Sequence, residues 1–223
     1  MIQQTAEARE SKVSLREVKE ESYRALRAIG YTWGQAQVAG RVAGVSQVLW
    51  GTGISAIVSD GNRFLGSRRL PKVTSSESGV RISAKGTQYP TFAPLAFALA
   101  LGKPNSEVHF RGANLTKEFA TALWDIEEES TGTFFWGSLT KGSAKHAVGY
   151  SVTEGALYQH GDPLSVSPKT WLLSRQVMPA GKLLLPLQAR REAIEQSLRS
   201  GVAVDPVEWS ALKKLSWKFL VPE

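Results

Sequence analysis

The sequence predicts an α+β protein with an N-terminal helical hairpin, a mixed or antiparallel sheet and C-terminal helices. Three observations predict it. Two capping boxes, Ser14-Leu15-Arg16-Glu17 and Thr32-Trp33-Gly34-Gln35, flank a glycine corner at Gly30. The middle of the chain breaks into short apolar runs divided by glycines, most clearly over 132–152. Helix signals then return near the end, where Asp205-Pro206-Val207-Glu208 sets proline at a first helical position. The expected division is a flexible arm, 1–12, and a single α+β domain, 13–223. Within the domain the hairpin takes 14–50, a sheet-containing body 53–175 and the C-terminal helices 187–219.

The first helix carries Leu15, Val18, Ala25, Leu26 and Ile29 at helical spacing. Its glutamates come early and Arg24 and Arg27 late, an order that suits the helix dipole. The second helix runs to Trp50 and is built largely from small residues: Ala36, Ala39, Gly40, Ala43, Gly44 and Ser46. Each interior glycine costs about 1 kcal/mol relative to alanine, so another backbone should pack closely there. A recognition helix for DNA would need several donors on one face, and only Gln35, Gln37, Arg41 and Gln47 are available.

Beyond the hairpin, Ile54 to Ser59 reads as a buried strand and Asp60-Gly61-Asn62 as a turn. Residues 61–79 read as loop, 80–84 as a short strand, and the apolar stretch 91–101 as a buried helix from Pro94. Glu107 to Phe110 alternates like a strand, and 117–128 like a helix. Strands are expected at 133–139, 146–152 and 156–159 as a meander, then near 171–174. Leu183 to Leu187 leads into a helix over 188–199, and the last helix carries Trp209, Leu212, Leu215 and Trp217.

The chain has 223 residues, a formal charge of +7 and no cysteine. Disulfides, thiolate catalysis and cysteine metal sites are thereby excluded. No apolar run reaches the roughly 18 residues of a membrane span, and the polar first residues lack the apolar core of a secretory signal. A cytoplasmic location is the expectation, with no membrane partner. The positive balance admits a small-molecule anion as partner. Nucleic acid is the weaker reading, because the basic residues are scattered.

Candidate chemistry gathers in two places. The loop from Gly137 to Lys145 offers glycines, hydroxyls and amines, a composition that binds anions through backbone N–H groups and lysine. Lys141, Lys145 and His146 are the candidate catalytic residues: the lysines would orient an anion, and His146 would act as general base near neutral pH. Ser138 and Ser143 are candidate ligand contacts, with Arg63, Arg68 and Arg69, whose segment runs on to Lys72. No metal site is predicted, since His109, His146 and His160 show no helical pair spacing and no HExxH. His109 reads as structural, and His160 opens a turn, His160-Gly161-Asp162-Pro163.

The hairpin and its corner, Ala28-Ile29-Gly30-Tyr31, together with Pro94-Leu95-Ala96-Phe97-Ala98, resemble the malate/L-lactate dehydrogenase family, the NAD-dependent type without a Rossmann fold. That resemblance implies NAD as cofactor. Where the family carries its histidine turn, this chain reads Trp50-Gly51-Thr52-Gly53-Ile54-Ser55, so the resemblance supplies no catalytic residue and the residues themselves predict no cofactor. The corner Gly30 to Gly40 and the tail Trp217 to Glu223 also resemble an uncharacterised bacterial family of unknown function. The leading expectation is a protein or enzyme of bacterial catabolism that binds a carboxylate-like small molecule, its reaction unspecified. The alternatives are a non-catalytic subunit completing a partner enzyme or assembly, and a nucleic-acid binder. A homo-oligomer or a partner subunit is expected, because the small-residue helix can pack against another chain.

Overall fold

The computed structural model describes residues 11–64, 72–76, 79–83, 107–111, 120–124, 134–139, 147–162, 170–175 and 178–220. They form an α+β structure, as the sequence predicts. The chain begins with β1 (Ser11–Val13), α1 (Leu15–Ile29), α2 (Trp33–Trp50) and α3 (Gly53–Phe64). Eight strands follow: β2 (Lys72–Ser76), β3 (Gly79–Ser83), β4 (Glu107–Arg111), β5 (Phe134–Leu139), β6 (Ala147–Thr153), β7 (Ala156–His160), β8 (Thr170–Ser174) and β9 (Lys182–Leu185). The chain then returns to helix with α4 (Leu187–Ser200), β10 (Val202–Val204) and α5 (Pro206–Leu220).

The first capping box forms as the sequence requires. The Glu17 N–H donates to Ser14 Oγ (3.1 Å), and the Ser14 N–H donates to Glu17 Oε2 (2.9 Å). Gly30 closes α1 in the left-handed region (φ 110°), a conformation open to glycine at little cost. The Thr32 N–H then donates to Gln35 Oε1 (3.0 Å) and opens α2. The small residues of α2 bring α1 in close. A Cβ on Gly40 would lie 3.1 Å from Tyr23 N, and one on Gly44 2.6 Å from Lys19 Cγ. The backbone expected to pack closely against α2 is α1 of the same chain.

Four readings are corrected. Ile54 to Ser59 is not a strand but the first half of α3, and Asp60-Gly61-Asn62 continues that helix. A short apolar run does not separate strand from helix by period alone. Here Ile54, Ile57 and Gly61 are buried at helical spacing. Gly53 lets the helix start against α2, where a Cβ would meet Ala43 O at 2.0 Å. Within the expected loop 61–79, residues 72–76 form β2, which pairs along its whole length with β3. Ser11 and Lys12, expected in the arm, belong to β1 and pair with Val204 and Ala203. The meander is present as β5-β6-β7, each pair antiparallel. Residues 120–124 are helical, inside the expected helix 117–128. The expected helix 91–101 lies outside the described residues.

The main sheet has eight strands in the order β2-β3-β4-β8-β5-β6-β7-β9. Every pair is antiparallel except β3 with β4. Register sets Val80, Val108, Leu173, Trp136 and Tyr150 side by side on one face, and all are buried in the core. Phe110 meets the Trp136 ring edge-on at 4.9 Å. Residues 120–124 tie the sheet to the helices: Trp124 Nε1 donates to Gly155 O (2.9 Å), and Trp50 Nε1 to Thr121 Oγ1 (2.8 Å). The Arg190 guanidinium of α4 stacks on the Trp124 ring at 4.8 Å. Among the described residues no helix is long and apolar enough to cross a membrane.

Candidate functional site

Strand direction decides which chain segments meet. Lys72 pairs with Ser83, Ser83 with Arg111, and Arg111 with Thr170. β8 runs antiparallel to β5, and Leu139 pairs with Ala147. These residues therefore mark one end of the sheet. His160 and Lys182 reach the same end, since His160 pairs with Gly149 and Gln159 with Lys182. The opposite end carries Glu107 at the start of β4 and Glu154 in the β6–β7 turn.

The two sequence-predicted clusters attach to the first end. Arg68 and Arg69 shortly precede Lys72, and Lys141, Ser143, Lys145 and His146 belong to the connection between Leu139 and Ala147. All six lie outside the described residues. Their points of attachment are four strands apart, about 19 Å at ordinary strand spacing. Ser138 is placed: it sits on β5 opposite Val148, half-buried. Arg63 falls in the last turn of α3, away from these strand ends in the chain.

His160, which the sequence places at the opening of a turn, is a buried histidine at the end of β7. It is buried on the face of the sheet opposite the core, in a transverse row with Leu172, Gly137 and Gly149. Its Nε2 lies 2.8 Å from Ser151 Oγ, and its ring meets Phe135 edge-on at 6.0 Å. Burial pushes its pKa below the ordinary histidine value, which keeps the imidazole neutral. Ser174 shares this face through its register with Phe135, and its buried Oγ has no hydrogen-bond partner among the described residues. The available signal was the alternation of 156–160, which puts His160 on the same face as Tyr158. His109, on β4, lies 3.2 Å from Glu107 Oε2 at the sheet surface.

A groove of about 620 Å³ opens between α2, α4 and β10, lined by Gln47, Gln196, Ser197 and Asp205 among others. Among the described residues no lysine or arginine lines it. Its polar groups serve the fold. Gln47 accepts from the Ile54 N–H (3.0 Å) and donates to Ala203 O (3.1 Å), and Asp205 Oδ1 accepts from Val207 and Glu208 N–H.

The corner Trp50–Ser55 tests the fit of the NAD chemistry that the family resemblance implies. Gly53 abuts the Ala43 carbonyl, and Gln47 occupies the first free N–H of α3. The corner is a backbone-to-backbone joint without an acid or base. It does not fit a hydride-transfer turn, and no step through NAD is derived.

This α+β architecture defines a class that solved structures share. The chain is similar in fold to malate dehydrogenase from Entamoeba histolytica, at 10% identity over 96% of this chain and 99% of that one, with a TM-score of 0.57. It is also similar to a dehydrogenase from Sinorhizobium meliloti, at 9% identity over 93% and 99%, with a TM-score of 0.58. A third is delta1-piperideine-2-carboxylate reductase from Pseudomonas syringae pvar. tomato, at 10% identity over 92% and 99%, with a TM-score of 0.52. At such identities the likeness establishes the fold. No protein-family model matches the chain, and no curated protein sequence does.

Proposed function

We propose that this protein binds a small molecule bearing a carboxylate-like anion at the sheet end where β2 begins and where the chain passes from β5 to β6. The observation that carries the reading is topological. Two basic segments far apart in sequence, ending in Lys72 and spanning Lys141 to His146, attach to one end of one sheet, the end at which β9 begins with Lys182. The fold supports it: proteins of this architecture are named for malate and for a piperideine carboxylate. In this reading Lys141 and Lys145 hold the anion, with Arg63, Arg68, Arg69, Ser138 and Ser143 as further contacts. If the ligand is turned over, His146 is the general base. The protein works in the cytoplasm, as a homo-oligomer or with a partner subunit.

A second reading, a non-catalytic subunit of a larger assembly, is favoured by the Trp50–Ser55 corner, which has no imidazole. Net charge alone supports nucleic acid.

The deciding experiment is calorimetry with a panel of 2-hydroxy, 2-oxo and cyclic imino carboxylates, on the native protein and on Lys141→Ala and Lys145→Ala. Each charge-assisted hydrogen bond contributes about 1.5–3 kcal/mol, so each loss should weaken binding roughly tenfold or more. Unchanged affinity in both variants removes the site, and no binding by any panel member removes the ligand class. Generic DNA is titrated in parallel across salt, because phosphate contacts give a steep log–log slope.

A further inference from the structure

We infer that the Ser151–His160 hydrogen bond is an acid-sensitive latch on β9, the edge strand of the main sheet. β9 is held by a short ladder to β7, with Leu157, Tyr158 and Gln159 opposite Leu185, Leu183 and Lys182 and an irregularity between Leu157 and Tyr158. Leu184 and Leu185 pack against the core at its far end. Its near end rests on the imidazole. Gly181, the residue before β9, is so close that a Cβ there would lie 2.7 Å from His160 Cε1 and 3.0 Å from Nδ1. The ring is fixed in turn by Ser151 Oγ and by the edge of Phe135.

Protonation turns both ring nitrogens into donors and puts a full charge among buried groups. Among the described residues, those facing the ring from β5, from β6 and from the segment before β9 are Phe135, Ser151 and Gly181, none of them charged. On β7 itself Tyr158 shares the face; Lys182, exposed, opens β9 opposite Gln159, and Asp162, exposed, follows the end of β7. The charge is relieved most readily when the segment at Gly181 lifts and lets water in, and β9 goes with it.

The sign follows from linkage. In an open or unfolded chain the imidazole titrates near 6.5, and burial lowers that value in the closed sheet. The open form therefore binds the extra proton. The latch is intact above about pH 6.5 and is lost as pH falls from there through the lowered value. One proton changes the opening constant by at most about tenfold per pH unit.

Hydrogen exchange read by mass spectrometry, corrected for intrinsic rates, tests this on the full chain at pH 7.5 and pH 5.5. Protection over 157–160 and 182–185 should fall several-fold at the lower pH, while 171–174 keeps its own. In His160→Gln the same segments should show no pH dependence. Ser151→Ala removes the bond that fixes the ring, so protection over 182–185 should already be lowered at pH 7.5. The latch is overturned by native protection that does not change with pH, by an equal change in His160→Gln, or by native protection of 182–185 in Ser151→Ala at pH 7.5.

Discussion

Gly53→Ala asks whether the α2–α3 corner is a packing joint. The added Cβ would lie 2.0 Å from Ala43 O and 2.9 Å from both Ala43 C and Gln47 N, all backbone atoms that cannot swing aside. Overpacking of this kind costs about 1–3 kcal/mol, and backbone opposition puts it at the upper end. Alanine returns at most about 1 kcal/mol of helix propensity. The net loss is about 2 kcal/mol, which at this chain length lowers Tm by roughly 4–8 °C. Three other glycines calibrate the effect. Gly34 has nothing within 4 Å, so Gly34→Ala should be neutral or stabilising by up to about 1 kcal/mol. Gly44 meets the Lys19 side chain, which can move, and Gly44→Ala should be nearly neutral. Gly40 meets Tyr23 N at 3.1 Å and Lys19 O at 3.2 Å, and Gly40→Ala should fall between. Thermal unfolding followed by circular dichroism ranks the four variants. If Gly53→Ala is as stable as Gly34→Ala, the close contact of α3 with α2 is refuted.

Gln47→Leu removes the bonds to the Ile54 N–H and Ala203 O and leaves the Ile54 N–H buried near the joint; it should cost about 1–3 kcal/mol in urea unfolding. Ser14→Ala removes the α1 cap and should cost about 1 kcal/mol. The hydrogen bonds from Ser14 lower the Glu17 pKa below its ordinary 4.5, so their stabilisation is present above about pH 4.5 and is lost as pH falls through the lowered value. A native-minus-Ser14→Ala difference in Tm that fails to shrink below pH 4 would contradict that assignment. Trp124→Phe deletes the bond to Gly155 O and weakens the stack of Arg190, and should lower stability by about 1–2 kcal/mol by the same denaturant assay.

The hairpin was legible because its signals are local. Ser14 with Glu17, Gly30 with Leu26 and Arg27, and Thr32 with Gln35 each act over at most four residues, and nothing distant overrides them. The meander was legible for the same reason, each strand lying next to its neighbour in the chain. The helix α3 was not, because its helical state depends on Gly53 meeting Ala43 and on Gly61 making room for Leu215, contacts that no local pattern encodes. β2 was missed because its strand character comes from pairing with β3 rather than from alternation. At the candidate site, residue chemistry pointed to two basic segments. That they attach to one end of the sheet required the strand order, with β8 between β4 and β5. The serine partner of His160 was not legible because it comes from β6, a neighbour invisible in the turn sequence that follows it.

The short ladder between β1 and β10 pairs Ser11 with Val204. The helices around it come from the two extremities of the described chain, whereas the eight-stranded sheet is made from what lies between. During synthesis the sheet's last strand, β9, leaves the ribosome before Val204 does. The N-terminal helices must therefore wait, their α5-facing surface uncovered, until residues 206–220 have been made. This ladder closes only after Val204 has been added, and a ribosome stalled anywhere before residue 204 holds a chain whose helical layer is unfinished.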